Sequence, residues 1–514
     1  MSELASSPSG AGSFGREGGE RQRGGPASEQ GFDPRTGQPV GTPVESTSDS
    51  LLDQICALAT KSAASWAAAD RAPYLERVAD ALDAESELLV STADAETALG
   101  VPRLTGELKR TTNQLRLFAE VLREGSYLEA TLDSADPDTV PPRPVLRRVL
   151  RSIGPVAVFA ASNFPFAFSV AGGDTASALA AGSPVVVKAH PGHPATSRET
   201  ARILTNVLPE GVFGIVHGVE AGVRLVRHPA IKAVGFTGST TGGRALFDLA
   251  SSRPDPIPFY GELGSVNPTV VLPSAATEQT ATGFAASLTM GVGQFCTNPG
   301  LLFAPAGFVE SLAAAVTGSS GGVMLNERMQ HTYQSGVDGL AAGELVELVA
   351  TGTAPEGGWA VAPKLFAVEL KTFAANLEVL TEEHFGPAGL VVTYTDPAEL
   401  PEVLAQLPGS LTATVHAEAA DHAVAGQLAE VLAGIAGRLI FNAWPTGVAV
   451  AWGMQHGGPW PATTNPLHTS VGATAIRRWL VPISYQGWPE ELLPPALRAD
   501  NPLAIPRRTN GTLS

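Results

Sequence analysis

The 514-residue chain is 44% hydrophobic and 16% charged, enough for two or three domains with full cores. Its formal net charge of −17 disfavours nucleic acid and anionic membrane as partners. Two cysteines make no disulfide framework, no apolar run is long enough to span a bilayer, and no signal pattern opens the chain, so a reducing cytoplasm is the expected setting.

Residues 1–30 are mainly Ser, Gly, Glu and Arg and are predicted to be a disordered tail, with order beginning near Gly31-Phe32-Asp33-Pro34. From Ser50 to Gly125 apolar residues recur at helix spacing. Leu51, Leu52, Ile55, Leu58 and Ala59 form a first run, Leu75, Val78, Ala79 and Leu82 a second, and Leu108, Leu115, Phe118, Val121 and Leu122 a third. Asp49 or Ser50 is the candidate cap of the first helix. On pattern alone Arg110, in the third run, reads as a solvated helix charge. The 141–152 segment interleaves basic and β-branched residues, which suits an exposed or subunit-bridging strand.

Short Val-, Ile- and Phe-rich runs follow at 155–161, 184–188, 214–217 and 232–236, separated by helical runs at 173–181 and 196–208. This alternation predicts a mostly parallel sheet covered on both faces, with ligands at the carboxyl ends of the strands. A second set at 267–272, 301–304, 390–394, 411–416 and 438–442 predicts a second α/β unit. The 473–485 stretch reads as a strand that pairs with the 141 segment or with another subunit, and 507–514 reads as loose.

Four segments carry candidate chemistry. Gly291-Val292-Gly293-Gln294-Phe295-Cys296 follows a helix-like run, and two glycines break that run before the thiol. A cysteine thiolate attacks carbonyl carbon well, although a lone cysteine also reads as a small buried hydrophobe. With only two cysteines in the chain, Cys296 belongs to no local cysteine cluster, and no metal is expected. Glu262 lies between glycines at a strand end, the setting of a desolvated general base or of an ordinary strand-end acid. Asn163 follows another strand, where its amide suits a developing oxyanion (one such donor is worth about 3 kcal/mol) or an ordinary turn. Gly238-Ser239 follows the 232–236 strand and opens a helix, an arrangement suited to a phosphate, although no G-x-G-x-x-G fingerprint is present.

Taken together, Ser162-Asn163-Phe164-Pro165, Val187-Lys188, Phe236-Thr237-Gly238-Ser239-Thr240, Glu262-Leu263-Gly264, Gly293-Gln294-Phe295-Cys296 and Glu383-His384-Phe385-Gly386-Pro387 resemble the aldehyde dehydrogenase superfamily from about Phe32 onward. Glu262 and Cys296 stand 34 residues apart (296 − 262), which suits the family pattern. The resemblance implies an α/β fold of two doubly wound domains plus a small oligomerisation β-flap. In it, 31–140 and 153–262 form a dinucleotide-binding domain and 263–472 a catalytic domain. Segments 141–152 and 473–490 are oligomerisation strands, and 491–514 is a C-terminal tail. It implies a homodimer or homotetramer.

The same resemblance implies roles. Cys296 attacks the aldehyde, Asn163 and the Cys296 N–H hold the oxyanion, and Glu262 activates the water that releases the acid. Lys188 and Glu383 hold the two riboses, Gly238 and Ser239 meet the pyrophosphate, and Phe385 packs near the nicotinamide ribose. Arg110, Phe164, Phe168 and Phe295 line the substrate tunnel, where an arginine can clamp a carboxylate. Hydrolysis rather than CoA acylation follows from the presence of Glu262.

Longer stretches, among them Lys188-Ala189-His190-Pro191 and His456-Gly457-Gly458-Pro459-Trp460-Pro461, resemble the branch of α-ketoglutaric semialdehyde (2,5-dioxovalerate) dehydrogenases. Another aldehyde, fatty or aromatic, is the alternative within enzymes, and a catalytically silent member is the alternative outside them. NAD-specific relatives often carry a glutamate three positions after the lysine, where this chain has Pro191. With no carboxylate in view, and with Lys188, His190 and His193 to attract a 2′-phosphate, NADP is the expected cofactor, with NAD tolerated.

Overall fold

The computed structural model describes residues 28–513. Its first sheet has five strands in the order Phe213–Val216, Val185–Lys188, Val156–Phe159, Ala233–Thr237, Phe259–Glu262, all parallel. The strands are nearly continuous apolar runs because both faces are covered. Val156, Val158, Val185 and Val187 enter one core, while Ala157, Phe159 and Val186 enter the core on the opposite face. From Val156–Phe159 the chain first adds two strands on one side and then two on the other. The order therefore reverses between Val156–Phe159 and Ala233–Thr237, and the crevice for a ligand lies at their carboxyl ends. Asn163, Gly238 and Ser239 follow those ends, and Lys188 and Glu262 terminate the flanking strands.

Four helices cover this sheet from the N-terminal side. Ser48, not Asp49 or Ser50, caps Asp49–Ala63, its side chain accepting from the Leu51 N–H. Ala68–Ala84 and Ser86–Thr97 follow, the latter a separate helix that the periodicity did not isolate. The 24-residue Val101–Glu124 buries Leu104, Leu108, Leu115 and Phe118. Arg103 and Arg110 sit about two helical turns apart on this helix, so they share a face.

The second sheet has seven strands in the order Glu347–Thr351, Lys364–Glu369, Ala388–Tyr394, Leu301–Pro305, Thr269–Val271, Ser410–His416, Ala436–Phe441. Five of these are the runs expected from sequence. The two at the Glu347 edge were not, and the outermost runs antiparallel and is largely exposed, so it lacks the apolar signature. Alternate residues again enter opposite cores, Leu301 and Phe303 one and Leu302 and Ala304 the other.

A third sheet orders Leu480–Gln486, Leu146–Ser152, Thr131–Asp133, Arg508–Thr509, Thr512–Leu513. Three expectations are corrected here. Residues 473–479 form a 3₁₀ segment, Ala473–Trp479, and only the remainder is strand. The C-terminal residues are not loose, because Leu493, Leu497 and Ile505 pack with Leu132 and Val149, and Arg508–Thr509 joins the sheet. Leu146, Arg147 and Arg148 are paired on both sides, so the edge strands of this sheet are Leu480–Gln486 and Thr512–Leu513 and not the 141–152 segment. At the other end, Ser28–Asp33 is already a strand, paired with Gln38–Glu45. Residues 28–30 are thus part of the fold, and the tail expected for 1–27 lies outside the described residues. No described helix is long and apolar enough to cross a membrane.

Candidate active site

Cys296 is held by an unusual turn. The helix Glu278–Thr289 ends, and Gly291, Val292 and Gly293 all take left-handed backbone angles, with φ of 55°, 60° and 66°. A β-branched residue rarely adopts that conformation. Gly293 must also be glycine for space, since a Cβ there would lie 2.3 Å from the Gly386 carbonyl carbon. Side-chain amides then pin the loop. Asn298 Nδ2 donates to Gly293 O (2.9 Å), and Asn267 Nδ2 donates to the carbonyls of Cys296 (2.8 Å) and Asn298 (2.9 Å). Asn163 Nδ2 donates to Gln294 O at 2.9 Å, which puts its amide two residues from the thiol. Asn267 and Asn298 carried no signal in the sequence beyond being polar residues in loops.

The thiol meets a histidine and a carboxylate. Cys296 Sγ is 3.5 Å from His456 Nε2, and the same nitrogen is 2.9 Å from Glu262 Oε1. Ser470 Oγ donates to Glu262 Oε2 at 2.5 Å. Burial opposes ionisation of Glu262, but His456 and Ser470 outweigh it and hold the carboxyl down at about 2. Burial, and then the adjacent Glu262 charge, push the Cys296 thiol well up. The resting pair at neutral pH is therefore a thiol and a carboxylate. One imidazole nitrogen faces both, and with Glu262 ionised it donates its N–H to the carboxylate and so fixes that oxygen beside the thiol. His456 stands in the 456–461 motif without a local signal for this role. Glu262, Cys296 and His456 also offer three ligand atoms within 4.8 Å of one another, a set that could hold a metal ion.

An aromatic channel leads to the thiol. Phe164 packs edge-on against Phe168 and Phe295, with ring centroids 5.3 and 5.2 Å apart, and Phe168 lies 6.3 Å from His456. Arg110 is not a solvated helix charge. Its guanidinium lies over Phe168 at 5.2 Å, the charges of Glu107 and then Glu262 act on it, and Nη1 is buried without a hydrogen-bond partner. Arg103, which the sequence reading missed, sits over Phe164 and Phe295 and donates through Nη2 to Asn163 O at 2.7 Å. Its Nη1 is likewise buried and unpaired.

The residues expected to hold a dinucleotide gather at the crevice. Gly238 and Ser239 are exposed, and Ser239 caps the helix Thr240–Ser251 by accepting from Gly242 N–H. An exposed helix N-terminus beside a strand end fits a pyrophosphate. Glu383 and Phe385 line a cavity with Ser265 and Phe295, and burial pushes the Glu383 carboxyl up to about 7. A hydroxyl donating to Glu383 favours its ionised form, so cofactor affinity is expected to fall as pH drops below about 7, by up to tenfold per unit. Binding titrations from pH 5.5 to 8.5 check this, and Glu383→Gln should flatten the profile.

Both premises of the NADP expectation are corrected. A carboxylate does stand beside Lys188, because Glu29 Oε1 is 3.4 Å from its Nζ. The two histidines supply no charge. Burial lowers both His190 and His193, His190 Nδ1 accepts from Gly192 N–H at 3.1 Å, and His193 is turned inward, its Nε2 3.0 Å from Ala161 O.

Residues 24–460 match the aldehyde dehydrogenase family. The chain is 46% identical over 500 residues to α-ketoglutaric semialdehyde dehydrogenase 2 of Azospirillum brasilense, covering 93% of this chain and 95% of that protein. It is 44% identical to α-ketoglutaric semialdehyde dehydrogenase of Acinetobacter baylyi over 86% of this chain and 87% of that one. Among solved structures, PnpE from Pseudomonas sp. WBC-3 shares the fold with a TM-score of 0.77 at 22% identity, over 89% of this chain and 94% of that one.

Proposed function

The chain belongs to the aldehyde dehydrogenase family and is an NAD(P)-dependent aldehyde dehydrogenase; from that premise we propose that it oxidises 2,5-dioxovalerate to 2-oxoglutarate through a thioester on Cys296. The observation that carries the chemistry is the contact of one His456 nitrogen with both the Cys296 thiol and the Glu262 carboxylate.

In this reading Cys296 loses its proton to solvent and the thiolate adds to the aldehyde carbon. The oxyanion is met by the Cys296 N–H and by the amide of Asn163. A bound nicotinamide, held through Lys188, Gly238, Ser239, Glu383 and Phe385, supplies the hydride acceptor. Cys296 is left acylated, and Glu262 takes a proton from the water that attacks the thioester, which restores the thiol and frees the acid.

Two things support the substrate. Two relatives, 46% and 44% identical to this chain, are named for α-ketoglutaric semialdehyde. In addition, Arg103 and Arg110 bring two buried, unpaired guanidinium N–H groups to the channel, a chemistry that takes a carboxylate distant from the aldehyde. Phe164, Phe168 and Phe295 favour a second reading, a fatty or aromatic aldehyde. Arg110→Ala separates the two. KM for 2,5-dioxovalerate should rise about tenfold to a hundredfold, with little change for a neutral aldehyde of similar length. Equal changes for both remove Arg110 from the account. The direct test follows reduced-nicotinamide absorbance with 2,5-dioxovalerate and each dinucleotide in turn. Activity on neutral aldehydes alone would discard this substrate.

For the cofactor, Pro191 in place of a glutamate speaks for NADP, and Glu29 against Lys188 speaks for NAD. We assign subunit pairing, as a dimer or tetramer, to the free edge strand Leu480–Gln486. The division into cofactor-binding and catalytic units is assigned to the five- and seven-stranded sheets.

A further inference from the structure

We infer that Glu29, on the N-terminal strand, is the residue that selects NAD over NADP, accepting a hydrogen bond from an adenosine ribose hydroxyl and disfavouring a 2′-phosphate. This rests on the reading of Lys188 as the adenosine-ribose residue.

Glu29 comes from far away in the chain to this spot. It is 8% exposed, yet both carboxylate oxygens are engaged at the carboxyl edge of the five-stranded sheet. Oε1 accepts from Gly218 N–H at 2.9 Å and lies 3.4 Å from Lys188 Nζ, and Oε2 lies 2.9 Å from His217 Nδ1. Lys188 and His217 bound the strands Val185–Lys188 and Phe213–Val216, so the carboxylate spans two adjacent strand ends on the carboxyl side of the sheet, beside the switch-point strand Val156–Phe159.

The hairpin that delivers Glu29 is tied down on several sides. The Glu96 carboxylate packs so closely on Gly31 that a Cβ there would lie 2.4 Å from its oxygen. Glu96 in turn accepts from the N–H groups of Ala195 and Thr196, at 2.9 and 2.8 Å, on the first turn of the helix after Lys188. Beyond the second strand, Thr47 N–H donates to His217 O at 2.9 Å, and His217 N–H donates to Thr47 Oγ1 at 2.8 Å. The strand, the ribose lysine and the loop after Val216 therefore form one fixed pocket wall.

The charges decide the preference. Gly218, Lys188 and His217 take three of the roughly four lone-pair sites of a carboxylate, which leaves about one on Oε2 for a ribose hydroxyl. A 2′-phosphate has no hydroxyl to offer and brings close to two negative charges against a buried carboxylate. Lys188 and Glu29 offset each other, and His190 and His193 are neutral, so these four side chains offer a 2′-phosphate no surplus positive charge. The chain has Pro191 where a ribose-binding glutamate would follow Lys188, and Glu29 supplies the missing carboxylate from another element.

The test measures kcat/KM for NAD and NADP with one saturating aldehyde in the full-length protein, Glu29→Gln and Lys188→Ala. The wild type should prefer NAD by about tenfold or more, and Glu29→Gln should narrow or reverse that ratio by about tenfold through KM, with kcat unchanged. A wild-type preference for NADP, or a ratio unmoved by Glu29→Gln, overturns the proposal. If Lys188→Ala weakens both cofactors while Glu29→Gln leaves the ratio alone, only Glu29 fails. If Lys188→Ala changes neither cofactor, the ribose reading fails and the proposal with it. Because Glu29→Gln could disturb the hairpin, the wild type is also titrated with two competitors of NAD. 5′-AMP should compete better than adenosine 2′,5′-bisphosphate, and the reverse order overturns the proposal.

Discussion

Replacing Cys296 by alanine is expected to lower kcat by about 10⁴-fold or more on every aldehyde, while dinucleotide binding stays within a few-fold of wild type. No other thiol can take over. Cys56 lies in the core beneath the five-stranded sheet, and burial, with Asp53 nearby, pushes it up to about 12. The alanine leaves the pinning of the loop intact, because Asn267 holds the Cys296 backbone carbonyl and not its side chain. Reduced-nicotinamide absorbance reads the loss, and a fluorescence titration reads retained cofactor binding. Residual turnover within about tenfold of wild type would remove Cys296 from the mechanism.

Glu262→Gln is expected to separate the two halves of the reaction. Loss of the base should slow thioester hydrolysis by about 10²- to 10⁴-fold. Acylation needs no base to activate water, so a rapid burst of about one reduced cofactor per site should precede a nearly flat steady state, and the acylated chain should be visible by mass spectrometry. The same substitution takes a negative charge away from Cys296. Since that charge, after burial, is what raises the thiol, its pKa should fall and alkylation by iodoacetamide at neutral pH should quicken. Faster alkylation together with collapsed turnover distinguishes a lost base from a disturbed fold. A variant slowed equally in burst and steady state would place Glu262 in acylation instead.

These outcomes rest on geometry that was unequally legible in the residues. The α/β alternation was open to reading because each strand is a short apolar run bounded by turn residues. Lys188, Ser239 and Glu262 could be placed at strand ends for the same reason, since each belongs to a local strand–turn unit. The end segments misled. The 473–479 stretch has strand-like composition but is 3₁₀, and the C-terminal residues look polar and loose, although they pack against Leu132 and Val149. Both are decided by partners elsewhere in the chain.

By itself, then, the sequence singled out Cys296, Glu262 and the two α/β units, because local spacing encodes strands, turns and the residues that punctuate them. Only the tertiary structure decided the environment of those residues. His456 reaches Glu262 across 194 positions and Cys296 across 160, and Glu29 reaches Lys188 across 159. Arg110 turns from a surface charge into an unpaired donor above Phe168 only once the helix is packed. Proton transfer, substrate charge and cofactor choice all depend on such contacts. They act over a few ångströms through a desolvated interior, and no local pattern in a chain records which distant side chains will share it.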